Sequence, residues 1–181
     1  SPESIRSADD VRRLPFTNKA DFHNNYPLGL VAVPRSEIAR FQGTSGTTGK
    51  PTWTAYTKGD VDRWADLCAR FLVSGGLRPE HTVQISFGFG IFTGGFGLHY
   101  GIQRVGAAIL PVSSGNSVRQ LMCMQDLRPE VLICTPSYAL KLMDDILNGG
   151  LDRASIAIEH AHFGGEPWTE EMRTRIEAGL G

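Results

Sequence analysis

The period of the apolar positions changes several times along the chain, and each change marks an element. Residues 59–74 carry Val61, Trp64, Ala65, Cys68, Phe71 and Leu72, the spacing of an amphipathic helix, and Gly75-Gly76 stops it. Residues 37–43 (EIARFQG) alternate apolar and polar side chains, which predicts a half-buried strand. Residues 52–57 (TWTAYT) are β-branched and aromatic and predict a second. Apolar runs at 82–87 (TVQISF), 107–112 (AAILPV) and 130–134 (EVLIC) predict buried strands. Alternation across 154–163 (ASIAIEHAHF) predicts one more. Helical patterns fall between them, at 96–105, at 117–127 and from Pro136 to Asn148, where Gly149-Gly150 is a stop. A last helix follows the N-cap candidate Thr169, with Met172, Ile176 and Leu180 at helical spacing. Residues 8–27 read as short helices packed by Val11, Leu14, Phe16, Phe22 and Tyr26.

From residue 59 onward helix and strand alternate without interruption. That order predicts an α/β fold, a mostly parallel sheet flanked by helices. The two strands at 37–43 and 52–57 predict a β-hairpin beside it, carrying the loop 44–51. Open parallel sheets bind ligands at the carboxyl ends of their strands. Two glycine-rich stretches, 88–97 and 164–167, fall at such ends.

Composition narrows the function. The 181 residues have a net charge of −1, which excludes a broad electrostatic footprint for nucleic acid or an anionic membrane. No apolar run approaches the roughly 18 residues of a membrane span. Three widely spaced cysteines, Cys68, Cys123 and Cys134, suggest neither a disulfide framework nor a zinc ribbon, and point to a reducing cytoplasm. The 21 glycines are the unusual feature, and they demand special turns. Both ends of the chain are abrupt, and the expectation is a piece of a larger protein. A sheet cut after its last helix would leave an unpaired edge, which leaves self-association, such as a homodimer, open.

Thr44-Ser45-Gly46-Thr47-Thr48-Gly49-Lys50-Pro51-Thr52 carries the strongest chemistry. Its glycines let backbone N–H groups turn toward an anion, its hydroxyls add donors and Lys50 adds charge. Thr44 to Lys50 therefore form a candidate polyphosphate cradle. It is not a Walker A loop: Thr44 stands where that motif needs glycine, and Pro51 follows the lysine.

With its surroundings this loop resembles the adenylate-forming superfamily and, more narrowly, the phenylacetate–CoA ligase family. The matching stretches are NNYPLGLVAVP (24–34), FQGTSGTTGKPTWTAYT (41–57), SFGFGIFTGGFGLHYG (86–101), TPSYALKLMDDI (135–146) and FGGEPWTEEMR (163–173). The resemblance implies an ATP-dependent ligase. An aryl carboxylate such as phenylacetate attacks the α-phosphate of ATP, and coenzyme A then takes the acyl group and releases AMP. It implies that Thr44 to Lys50 hold the β- and γ-phosphates, with Lys50 a mobile cation. It implies that Gly164, Gly165, Glu166 and Pro167 lie against adenine, and that Phe87, Phe92 and Gly164 line the acyl pocket. Phe87 stands where family members often carry tyrosine, which favours an apolar ring. Gly165 stands where they often carry alanine. The family's Mg2+ ligand, ribose-binding aspartate and lid lysine fall outside these residues. The chain is thus expected to be a partial N-terminal ATP- and acyl-binding domain, without a complete catalytic set and inactive alone. A related enzyme for another aryl or amino acid, or a non-catalytic nucleotide-binding module, stays open.

Other groupings carry less. His160 and His162 share one strand face but lack a third ligand in sequence, so no metal site is expected. His99 reads as a hydrogen-bonded core residue. Cys134 and Ser137 have no base at a readable spacing.

Overall fold

A computed structural model describes residues 4–44, 49–149 and 152–180. After a 3-10 turn at Ala8–Arg13 come helix α1 (Lys19–Asn24) and the hairpin strands β1 (Ile38–Gly43) and β2 (Trp53–Thr57). There follow α2 (Lys58–Ser74), β3 (Thr82–Ile85), α3 (Thr93–Val105), β4 (Ala108–Leu110), α4 (Ser117–Leu127) and β5 (Val131–Cys134). The chain continues through α5 (Pro136–Asn148), β6 (His160–Phe163) and α6 (Glu170–Leu180). The alternation predicted from residue 59 is present in full. Strands β3 to β6 form a parallel sheet in the order β4-β3-β5-β6, and β1 and β2 pair antiparallel.

Strand β5 shows why the sheet lies between two helical layers. Val131 and Ile133 join Leu72, Leu77, Val83, Ile85 and Ile102 on one face. Leu132 and Cys134 join Met124, Leu142, Ile146 and Ile176 on the other. Successive side chains of a strand point to opposite faces, so an unbroken apolar run needs cover on both.

Local chemistry sets several boundaries. Thr57 caps α2: its Oγ1 accepts from the Asp60 N–H at 3.2 Å, and the Asp60 carboxylate accepts from the Thr57 N–H at 3.0 Å. The backbone and hydroxyl of Thr57, then Arg63, lower the Asp60 carboxyl to about 2. Pro136 occupies the first turn of α5 behind the N-cap Thr135.

Four expectations need correction. Helix α3 begins at Thr93, three residues before the predicted start, because Gly94 and Gly95 carry no side chain to show a helical stripe; further along, its glycines are a packing face. A Cβ at Gly97 would collide with the Trp64 ring, and one at Gly101 would lie 2.6 Å from the Cys68 Cβ. Gly97 and Gly101 thus let α2 and α3 approach closely. The strand expected over 154–163 shrinks to 160–163. Both the Glu159 and His160 N–H groups take the Glu130 carbonyl, and residues 153–155 turn instead as a 3-10 helix. The N-terminal side chains expected to pack together do not: Val11, Leu14, Phe16, Phe22 and Tyr26 are all exposed, Phe16 completely. Finally, the His99 Nδ1 is buried with no hydrogen-bond partner among the described residues.

Candidate functional site: the carboxyl edge of the sheet

The loops that leave β3, β4, β5 and β6 meet at one edge. After β3 come Ser86, Phe87 and Gly88; after β4, Ser113 and Ser114; after β5, Thr135 and Ser137; after β6, Gly164 to Pro167. Ser86, Phe87, Gly88, Ser114, Thr135, Ser137, Tyr138 and Lys141 line a cavity of about 290 Å3. That is near the small end of ligand-pocket volumes, about 300–1,000 Å3.

A buried polar network holds two of these loops. Gln120 Oε1 accepts from Gln84 Nε2 at 2.6 Å and from Ser86 Oγ at 2.7 Å. Gln120 Nε2 donates to the Ser113 carbonyl at 2.6 Å. One side chain on α4 thereby ties the exit of β3 to the exit of β4. Across the cavity the Tyr138 hydroxyl donates to the Gly115 carbonyl at 3.1 Å.

Gly165 adopts the left-handed conformation at φ 86°, which suits glycine and strains other residues. A Cβ there would sit 3.6 Å from both Phe87 and Thr135. The loop expected to meet adenine therefore lies beside a phenylalanine expected to meet the acyl group. Among the described residues, nothing would meet a Cβ at Gly164 within 4 Å.

Glu166 has a bracing role that its place in the motif did not disclose. Its Oε1 accepts from the Ser137 N–H at 2.6 Å, at the first turn of α5. The Ser137 hydroxyl and N–H, with help from Thr135, hold the carboxyl below the usual range. An anion at a helix N-terminus is stabilised by the helix dipole. The brace fixes loop 164–167 against α5.

The aromatic residues divide by position. Phe87 lines the cavity, with its ring centroid 6.4 Å from that of Phe92. Phe92 folds back over Gly94, half exposed, and neither it nor Gly164 belongs to the cavity lining. Phe89 and Phe96 pack edge to face at 5.5 Å, away from the cavity.

Of the phosphate loop, Ser45 to Thr48 lie outside the described residues. Its base is closed by two bonds: Thr44 N–H to the Thr52 carbonyl at 3.1 Å, and Thr52 N–H to Thr44 Oγ1 at 3.0 Å. Gly43 N–H donates to the Ile91 carbonyl at 3.0 Å, so the hairpin springs from beside the aromatic loop. Gly49 has φ 139°. The Lys50 ammonium is exposed and lies 4.9 Å over the Tyr26 ring.

Three contributors escaped the sequence reading. Lys141 enters the cavity from the second turn of α5, paired with Asp145 at 2.8 Å. Arg40 lies over the rings of Phe96, at 4.1 Å, and Tyr100, at 4.9 Å, and donates to the Tyr100 hydroxyl. Gln120 stands 36 residues from its partner Gln84. Only Lys141 had a local signal, at helical spacing from Ser137. Cys134 is no nucleophile: burial, then the Glu166 charge, pushes its thiol up to about 12.

Over 180 residues the chain is 46% identical to a phenylacetate-coenzyme A ligase of Thermus thermophilus, and over 180 residues 42% identical to one of Pseudomonas putida. Each match covers 99% of this chain. The chain is homologous to phenylacetate-coenzyme A ligases. It spans 40% and 41% of the length of these two relatives. No family model matches the chain. Among solved structures, an open conformation of 2-hydroxyisobutyryl-CoA ligase with 2-HIB-AMP and CoA superposes with a TM-score of 0.88. The sequence identity is 28%, covering 99% of this chain and 44% of that one. A benzoate CoA ligase from Burkholderia xenovorans LB400 shares the fold at a TM-score of 0.58 and 20% identity, covering 83% of this chain and 29% of the other. The α/β architecture is thus that of adenylate-forming CoA ligases. No helix among the described residues is long and apolar enough to cross a membrane.

Proposed function

We propose that this chain is the ATP- and acyl-binding part of the N-terminal domain of a cytoplasmic aryl-acid CoA ligase. The reaction is phenylacetate, ATP and CoA to phenylacetyl-CoA, AMP and pyrophosphate. The observation that carries the proposal is that Gly165 and Phe87 lie side by side at the sheet edge. This supports a surface for a flat base next to one for an apolar ring, in a chain homologous to phenylacetate-coenzyme A ligases.

Each group then has a task. Gly164 and Gly165 leave the backbone bare where the purine would lie. Glu166 positions that loop and stays anionic, so it moves no proton. Phe87 supplies apolar area without a hydrogen-bond donor, which fits an unsubstituted aryl ring. Lys50 can leave the Tyr26 ring for the polyphosphate, because an exposed cation–π contact is worth only about 0.5–1 kcal/mol. There its charge, with the hydroxyls of Thr44 to Thr48, would stabilise the departing pyrophosphate, where negative charge develops. Mg2+ would add Lewis-acid charge at the phosphates. No described residue of the cradle is a carboxylate, so its ligand is sought elsewhere in the protein.

Phenylacetate-dependent exchange of labelled pyrophosphate into ATP, measured on the whole protein that carries these residues, tests this reading. Lys50→Ala is expected to raise the KM for ATP about tenfold or more, with the KM for phenylacetate little changed. Exchange with every aryl acid except phenylacetate would overturn the substrate assignment. An unchanged KM for ATP in Lys50→Ala and Thr47→Ala would overturn the phosphate cradle.

A further inference from the structure

At the opposite edge, where the strands begin, three ligand-bearing side chains meet. His81 precedes β3, and Glu159 and His160 lead into β6. Their ligand atoms all lie within 4.8 Å of one another. The two imidazole centroids are 5.7 Å apart. Among the described residues no hydrogen bond joins the three side chains. Sequence alone pairs His160 with His162; the fold instead gives His160 the distant His81.

The backbone holds this meeting in place. The Glu130 carbonyl accepts from the N–H groups of Glu159 at 2.8 Å and His160 at 3.1 Å. On its other side Glu130 N–H donates to the Thr82 carbonyl at 3.1 Å, and its carboxylate accepts from the Thr82 N–H at 2.7 Å. The start of β5 is therefore a spacer of fixed width between His81 and His160.

Two independent features suit a cation. The carboxyl end of α2 stops directly above His160: a Cβ on Gly76 would lie 2.9 Å from its Cε1. That end carries the negative pole of the helix dipole. Glu159 and His160 also border a cavity of about 500 Å3, which gives an ion and its water a path from solvent.

We propose that His81, His160 and Glu159 bind one divalent transition-metal ion of the zinc class, with water in the fourth position. Two imidazole nitrogens and one carboxylate oxygen select such an ion over Mg2+ or Ca2+, which take oxygen ligands. Donors about 2.0–2.1 Å from a tetrahedral ion are about 3.4 Å apart. The site must close by at most about 1.4 Å, which rotation of the exposed Glu159 and half-buried His160 can supply. Binding replaces the 3.3 Å bond from Arg78 N–H to His81 Nδ1. At Nδ1 the ion takes that lone pair; at Nε2 the ring proton moves to Nδ1. The released Arg78 N–H lies on an exposed residue. The bound ion would strap the turn before β3 to the start of β6, remote from the nucleotide and acyl loops.

The test uses tag-free whole protein, stripped with EDTA and free of nucleotide, titrated with Zn2+ by calorimetry. One ion per chain is expected, with micromolar affinity. A free ion concentration 100-fold above Kd should raise Tm by about 3 °C. Mg2+ should give no shift. His160→Ala and Glu159→Gln should each weaken zinc binding roughly tenfold or more. Glu159 is exposed, so its glutamine variant keeps the fold, which circular dichroism verifies. Co2+ should give the visible absorption of a tetrahedral site in the parent and lose it in both variants. Absence of saturable zinc binding overturns the proposal, as does the same stoichiometry and Kd in both variants.

Discussion

At the scale of single residues, Gln120 decides the most. It is fully buried, and its amide serves three partners at 2.6–2.7 Å on two strand exits. Gln120→Ala leaves the Gln84 amide, the Ser86 hydroxyl and the Ser113 carbonyl without it. Each orphaned buried group costs about 1–3 kcal/mol, and relaxation recovers part of that. A loss of about 3 kcal/mol is expected in urea unfolding. A loss below about 1 kcal/mol would show that the loops hold themselves. None of this was legible in the sequence. A glutamine in TVQISF looks like an ordinary polar interruption, and only the pairing of β3 with β4 brings α4 above it. Glu166 is the converse case: the motif was plain, but its bond to Ser137 required the sheet to be built.

At the scale of elements, helix contacts invert the usual effect of glycine. Alanine in place of a helical glycine gains about 1 kcal/mol of propensity. At Gly101 the new Cβ would lie 2.6 Å from the Cys68 Cβ and 2.9 Å from its backbone carbon. Backbone cannot step aside as a flexible side chain can, and overpacking costs about 1–3 kcal/mol or more. Gly101→Ala should therefore lose about 2 kcal/mol in urea unfolding. Gly59→Ala, in the first turn of α2, meets only Thr57 Oγ1 at 3.8 Å, and should be neutral or stabilising. Equal effects at the two positions would contradict the packing argument. Glycine also explains what periodicity missed. Gly94 and Gly95 read as loop because their lack of side chains erased the helical stripe, while Gly97 and Gly101, inside the predicted helix, let α3 lie on α2. Strands with unbroken apolar runs, such as β5, were legible because burial on both faces leaves no other solution. The alternation in 154–163 misled, because period two reports a face to bury and not a partner to pair with.

At the scale of the whole molecule, function depends on how the hairpin is fixed to the sheet. The proposed phosphate loop leaves from β1 and returns on β2, whereas the proposed aryl and purine surfaces belong to the parallel sheet. Among the contacts that join the two bodies are Gly43 N–H to the Ile91 carbonyl, the Tyr56–Trp64 stack at 5.3 Å, the Thr57–Asp60 cap of α2, and Arg40 over Phe96 and Tyr100. Of these, Arg40 supplies the cation–π contact, and desolvated cation–π contacts are worth about 2 kcal/mol. Arg40→Met keeps the apolar stem and removes the guanidinium. Losing about 1.4 kcal/mol from this joint should open the hairpin tenfold more often. Hydrogen exchange then has a definite pattern: faster by about tenfold at the amides of β1 and β2, unchanged at β5 in the core. Uniform acceleration would mean that Arg40 supports global stability. No acceleration would mean that the backbone bond and the aromatic stack suffice. Because the proposed cradle is carried on the hairpin, the same variant should raise the KM for ATP in the whole protein more than the KM for the acid, whose proposed contacts Phe87 and Gly164 follow strands of the sheet.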